Sequence, residues 1–333
     1  MNFKKKRILV TGACGTIGSE ITKKLLDLGA VVCAFDNHEN GLFNLQKTHQ
    51  SKNKKNLRIF LGSIRNKDRV SKAMNKVDYV FHCAALKHVE ISEYNSFEAV
   101  LTNIVGVQNI IDVALEYNVK KVLFTSSDKA VNPSSVMGTT KLMGEKLIIA
   151  ANNYTGNKVT RFASVRFGNV LDSNGSVLKI FKKQINENKP MTITSKEMTR
   201  YFINIEQAIE LCIFSLKEMI GGEIFFPIMK SFNIVNLSRA ISKSNNPKLI
   251  FTKPNMGEKL FEELVTENEA PRTLSLKSYY VVVPEMNKDS PTFFKKISKK
   301  YKGFTKINEP LKSNSKLLTV NEIKKLLSKS KLL

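Results

Sequence analysis

The sequence predicts an α/β fold on a doubly wound parallel sheet with a smaller C-terminal lobe, and three observations carry that reading. Short apolar runs at Arg7 to Thr11, Val31 to Phe35, Leu57 to Leu61, Val77 to His82, Val122 to Ser126 and Ala163 to Phe167 alternate with helix-length segments. That alternation is the pattern of parallel strands buried on both faces. The first run leads directly into Gly12-Ala13-Cys14-Gly15-Thr16-Ile17-Gly18, and the second ends in an acid, Asp36, 18 residues past Gly18.

The first element pair is read as a dinucleotide cradle of Rossmann type. Gly12, Gly15 and Gly18 allow a tight turn and a close approach of backbone amides to a pyrophosphate, while Thr16 and Ile17 open the helix whose N-terminus faces it. Ile17, Ile21, Leu25 and Leu28 form the apolar stripe of that helix, and Gly29 ends it. The Asp36 carboxylate can accept hydrogen bonds from an adenosine ribose and opposes a 2′-phosphate, so the expected cofactor is NAD(P), with NAD favoured. Ligands of open α/β sheets bind outside the carboxyl ends of the strands. Asp36, Lys87, Ser127 to Lys129 and Asn169 are therefore expected to converge on one crevice, with Lys87 and Asn169 reaching for substrate.

After the fifth run the chain reads Thr125-Ser126-Ser127-Asp128-Lys129-Ala130-Val131-Asn132-Pro133-Ser134-Ser135-Val136-Met137-Gly138-Thr139-Thr140-Lys141. A hydroxyl, a carboxylate and an amine stand in sequence at Ser127, Asp128 and Lys129, a set suited to proton transfer. Lys141 lies one helical turn beyond Met137. A serine and an aspartate ahead of a proline can also form a simple local turn.

The segment resembles the active site of the short-chain dehydrogenases and, within them, the nucleoside-diphosphate-sugar 4,6-dehydratases of the UDP-N-acetylglucosamine 4,6-dehydratase group. The likeness extends over nearly the whole chain, through His82-Cys83-Ala84-Ala85-Leu86-Lys87-His88-Val89, Glu93-Tyr94-Asn95, Arg166-Phe167-Gly168-Asn169-Val170-Leu171, Glu197-Met198-Thr199-Arg200-Tyr201-Phe202 and Gly257-Glu258-Lys259-Leu260. Two departures stand out. Met137 takes the place of the tyrosine in Tyr-x-x-x-Lys, and Gly62-Ser63-Ile64-Arg65 has a hydroxyl where relatives carry an aspartate facing adenine. The resemblance implies that Ser63, Ile64, Ala84 and Ala85 line the cofactor site and that Lys141 orients the nicotinamide ribose. It further implies that Ser127 bonds the sugar 4-oxygen, that Asp128 protonates the departing 6-hydroxyl and that Lys129 removes the carbon 5 proton. Lys87, Asn169, Arg200 and Glu258 fall to substrate, Arg200 as a bidentate diphosphate contact or a structural ion pair. Positive charge from Lys141 and nicotinamide would favour a neutral Lys129 but also an ionised Asp128, the wrong state for an acid.

Composition sets outer bounds. With 333 residues, 42% of them hydrophobic, the chain can bury a sizeable core. The cofactor lobe is placed at residues 1–170 and a mainly substrate-binding lobe at 171–333, with segments free to cross. The Lys- and Ser-rich stretch from Lys288 to Lys316 is the expected mobile part, and Thr319-Val320-Asn321-Glu322 is a capping box opening a final helix with Val320, Ile323, Leu326 and Leu327 on its apolar face. Cys14, Cys33, Cys83 and Cys212 lack metal-ligand spacing, so no metal and reduced thiols are expected. Only Ile8 to Val10 follow the basic residues Lys4 to Arg7. No signal, no integral membrane segment and a cytoplasmic homo-oligomer are the expectation. The net charge of +24 is spread along the chain without an aromatic-interleaved motif, which argues against nucleic acid as a partner. Three readings stay open: a nucleotide-sugar dehydratase, a nucleotide-sugar 4-epimerase on the same fold, and a non-catalytic dinucleotide-sensing protein. An epimerase would keep the tyrosine and have no use for Asp128 and Lys129; a sensor would need neither that pair nor Lys141.

Overall fold

The computed structural model describes residues 1–333 apart from 54, 172, 174, 243–246, 277, 285–296, 298, 302 and 303. Strands β1 (Arg7–Thr11), β2 (Val31–Asp36), β3 (Leu57–Leu61), β4 (Tyr79–His82), β5 (Lys121–Thr125) and β6 (Arg161–Val165) lie in the order β3-β2-β1-β4-β5-β6, all parallel. The order reverses between β1 and β4, which opens a crevice at their carboxyl ends.

Side chains alternate along these strands and fill two separate cores. Ile8, Val10, Ala34, Phe81, Leu123 and Ala163 pack on one face with Ile21 and Leu25 of helix Thr16–Asp27 and Leu211 and Leu216 of helix Ile205–Glu218. Leu9, Cys33, Phe35, Val80, Val122 and Phe124 pack on the other with Val70, Ile110, Ile111 and Ile148. Leu28, placed on the first helix's apolar stripe from sequence, is instead 39% exposed. It is the residue that caps the helix, past the last full turn, and Leu26 is buried in its stead.

Residues beyond 170 do not stay in one lobe. Ile224–Pro227 extends the sheet parallel to β6, and Tyr279–Val282, Thr273–Ser275 and Thr305–Lys306 add antiparallel strands beyond it. The second lobe has its own core of Leu178, Phe181, Met191, Phe202, Phe232, Leu237, Ile323 and Leu327, with the rings of Phe202 and Phe232 stacked at 3.8 Å. The final helix, Val320–Lys329, is opened by the expected capping box: Glu322 accepts from the Thr319 N–H at 2.8 Å, and Thr319 accepts in return. Part of the stretch expected to be mobile, residues 288–296, 298, 302 and 303, lies outside the described residues; Leu311–Lys312 within it pairs with Glu263–Val265. Among the described residues one helical stretch, Ser96–Glu116, is long and apolar enough to cross a membrane, and it supplies Val107, Ile110, Ile111, Val113 and Ala114 to the core.

Candidate active site

A cavity of about 1250 Å³ runs along the carboxyl ends of the strands. Gly12, Gly15, Thr16, Ile17, Gly18, Asp36, Ser63, Ile64, Ala84, Ala85, Lys87, Ser127, Lys129, Lys141, Asn169, Arg200 and Glu258 all line it, so the crevice expected from sequence is present. Asp128 lies behind this wall, fully buried.

The dinucleotide end is built from backbone. Gly12 has φ +65°, and a Cβ there would sit 2.6 Å from the Ala84 nitrogen; a Cβ on Gly18 would sit 2.1 Å from the Gly12 oxygen. Only glycine fits either place. Gly15 offers no side-chain cap, so the first amides of helix Thr16–Asp27 are left to an anion, the arrangement that suits a pyrophosphate. Asp36 is held by the N–H groups of Cys14 (2.9 Å) and His38 (3.0 Å). The Ser63 hydroxyl accepts from the Arg65 N–H at 3.3 Å. These residues fit a dinucleotide.

Asn103, which sequence reading passed over, fixes the loop after β4. Its side chain accepts from the Leu86 N–H (2.9 Å) and donates to the Leu86 carbonyl (3.0 Å) and to Thr140 Oγ1 (3.0 Å), joining that loop to the helix that carries Lys141. It projects from a π-type turn, Leu101–Val105, a wide turn of the kind found at functional sites. The helix carrying Lys141, Val136–Ala151, is capped by Ser135 (from the Gly138 N–H, 3.1 Å) and by Glu93 (from the Val136 N–H, 2.6 Å). Lys141 Nζ donates to the Thr125 carbonyl at 2.8 Å and lies 4.7 Å from the Phe124 ring centroid. Burial pulls its ammonium down to about 8. Met137 forms part of the cavity wall, 3% exposed.

The proton-transfer groups form one cluster. Ser127 caps a short 3₁₀ turn, accepting from the Lys129 N–H (3.2 Å) while its hydroxyl donates to Asp128 Oδ1 (2.8 Å). Lys129 Nζ meets Asp128 Oδ1 (3.1 Å), Asn169 Oδ1 (3.3 Å) and Glu262 Oε1 (3.4 Å). Burial pushes its proton affinity down, but the Asp128 and Glu262 carboxylates outweigh that and raise it above the ordinary lysine range. This corrects the expectation of a lysine biased neutral by positive neighbours: its charged partners are two carboxylates. Asn169, expected to reach for substrate, is held by Lys129. Arg200 is 6% exposed and paired with Glu258 Oε1 (3.3 Å) and Glu262 Oε1 (3.7 Å), so of its two readings the ion pair describes its geometry. Glu262 is the residue that motif reading missed. It lies two residues past the matched Gly257-to-Leu260 segment, and the acidic pair Glu262-Glu263 in a lysine-rich chain was its one signal.

Residues 8–284 match the family of polysaccharide biosynthesis proteins. The chain belongs to this family. Among its relatives, a UDP-N-acetylglucosamine 4,6-dehydratase (inverting) of Campylobacter jejuni is 40% identical, the alignment covering 85% of this chain and 84% of that protein. A Methanocaldococcus jannaschii protein named an uncharacterized membrane protein is 42% identical over 95% of this chain and 98% of its own length. The solved structure of Pen from Bacillus thuringiensis superposes with a TM-score of 0.91 at 38% identity, over 100% of both chains. As a polysaccharide biosynthesis protein, the chain is an extended short-chain dehydrogenase/reductase, with the parallel sheet and glycine cradle described above.

Proposed function

We propose that this polysaccharide biosynthesis protein carries out the NAD(P)-dependent 4,6-dehydration of a nucleotide-linked N-acetylhexosamine, UDP-N-acetylglucosamine above others, to a 4-keto-6-deoxy sugar for surface polysaccharide or glycan. The observation that carries the reading is the Ser127-Asp128-Lys129 cluster, with Ser127 and Lys129 lining the cavity beside Lys141 and Asp128 bonded to both from behind, and with Met137 where an epimerase would keep its tyrosine.

When bound, the nicotinamide supplies the redox chemistry, taking hydride from carbon 4 and returning it to carbon 6. The chain's own residues handle protons. The Ser127 hydroxyl already donates to Asp128, so a sugar 4-hydroxyl that donates to Ser127 completes a relay, and its proton ends on Asp128. Asp128 then holds the proton that the departing 6-hydroxyl needs, and Ser127, which lines the cavity in front of it, passes that proton back out. This resolves the conflict expected from sequence, because the acid is charged by the first step rather than kept protonated beforehand. The proton count closes: the proton lost from the 4-hydroxyl leaves with the water. Lys129 acts on carbon 5, whose proton is acidic once carbon 4 is a ketone. Lys141 holds the nicotinamide ribose, while Lys87 and the Arg200–Glu258 pair border the sugar-nucleotide.

Within NAD(P), Asp36 favours NAD. The preference is modest, because two N–H groups neutralise part of its charge and Arg65 lines the same end of the cavity. A cytoplasmic homo-oligomer is the accompanying proposal; the core role of Ser96–Glu116 and the exposed apolar side chains of Tyr94 (92%) and Phe97 (68%) support it. Mass spectrometry of UDP-N-acetylglucosamine incubated with the protein and NAD(P) tests the reaction. Loss of one water from the sugar supports it, and an unchanged mass opposes it.

A further inference from the structure

We infer that Glu262 holds the proton that Lys129 must shed before it can act as a base, an inference that rests on the dehydratase reading. A lysine that attacks a carbon acid has to begin as a neutral amine. Lys129 is biased the other way by its two carboxylate neighbours. An acceptor within reach is therefore required.

Its ammonium has three oxygen neighbours. Asn169 is an amide and takes no proton. Asp128 Oδ1 is engaged by Ser127 and receives the 4-hydroxyl proton through it. Glu262 remains, at 3.4 Å. It is 2% exposed, and its second oxygen, Oε2, is buried without a hydrogen-bond partner, a costly position for a full negative charge. Burial pushes its carboxyl upward, the Lys129 ammonium opposes that, the Asp128 charge adds to it, and the result lies above the ordinary glutamate range. Arg200 (Nε at 3.7 Å) and Lys259 are the other cations facing it; Lys259 is engaged by the Val131 carbonyl at 2.7 Å. Glu258 sits on Arg200, and Glu263 is occupied by Asn132 and Lys312.

The step conserves protons. One proton passes from Lys129 Nζ to Glu262 Oε1, turning an ion pair into an amine and a carboxylic acid. As ligands expel water from the cavity, the ion pair loses more solvation than the neutral pair, so substrate binding itself drives the transfer. The amine then takes the carbon 5 proton, exchanges it with solvent, delivers a proton back to carbon 5, and recovers its own from Glu262. A cavity of about 290 Å³ beside Lys129 and Glu262 keeps this pair within reach of solvent protons. Glu262 works through Lys129 and does not touch the reacting atoms, so it is a positioning residue.

Glu262→Gln keeps the size and removes the acceptor. The inference predicts turnover lower by on the order of 100-fold at neutral pH, recovering in proportion to hydroxide as water becomes the acceptor, where the wild type stays flat. Infrared spectra with NAD(P) and UDP bound should show a protonated carboxyl in the wild type that is missing in Glu262→Gln, a readout that needs no turnover. Cofactor titration and melting show whether the variant is folded; if it is not, Glu262→Asp should keep the flat pH profile with reduced turnover. A Glu262→Gln protein as active at neutral pH as the wild type, or no difference in the carboxyl band, overturns the inference and leaves Glu262 a counter-ion. A wild-type protein that dehydrates no nucleotide-sugar defeats the dehydratase reading instead, while the infrared comparison still locates the proton.

Discussion

Lys129 and Lys141 lie in one cavity and are pushed in opposite directions, because two carboxylates face the first while burial dominates at the second. Lys129→Ala should abolish dehydration and leave NAD(P) binding intact, and Asp128→Asn should slow turnover by about 100-fold or more, the scale of a lost general acid. Product formation and cofactor titration on the same variants check both. Lys141 gives a pH prediction. Its folded value of about 8 is below the unfolded 10.5, so between these values the unfolded chain binds more protons and stability rises with pH. Melting temperatures of Lys141→Met against wild type should therefore differ most below pH 8 and converge as pH climbs toward 10.5. The trio Ser127-Asp128-Lys129 was legible in sequence because its contacts are local. Glu262 was not, since it reaches Lys129 from a segment far along the chain and only the fold brings them together.

At the scale of elements, two contacts tie the catalytic turn to its supports. Gly138 packs so closely under the turn that a Cβ would come within 2.3 Å of the Lys129 carbonyl oxygen. Gly138→Ala should shift that turn and lower kcat while the glycine cradle, built elsewhere, still binds cofactor; steady-state kinetics with a binding titration separate the two. Arg166 is 1% exposed and clamps helix Val136–Ala151 through Glu145 (2.7 and 2.9 Å) to Glu269 (2.8 Å) and the Leu264 carbonyl (3.0 Å). Arg166→Met strands two buried carboxylates and should cost about 3–5 kcal/mol in denaturant unfolding. Sequence registered the strands because both their faces are apolar, and it misjudged ends by a residue or two: Val77 and Asp78 precede the strand Tyr79–His82, and Phe167 follows β6. Tertiary hydrogen bonds, which leave no local pattern, decide those ends.

For the whole molecule, the doubly wound parallel sheet and the cofactor crevice followed from repeated strand and helix patterns. The return of Ile224–Pro227 and Tyr279–Val282 to the first sheet did not, because nothing local says which lobe an apolar strand will join. Equilibrium titration at one ionic strength should show NAD binding more tightly than NADP by a small factor; tighter NADP binding would show that Arg65 and its neighbours outweigh Asp36. The central claim is that one closed proton circuit, Ser127 to Asp128 and Lys129 to carbon 5, turns an oxidation at carbon 4 into loss of water. NMR of the product formed from UDP-N-acetylglucosamine in heavy water tests it most directly. The account predicts a 4-keto-6-deoxy sugar with deuterium at carbon 5. A product that keeps its 6-hydroxyl and differs only at carbon 4 would contradict it and make the protein an epimerase.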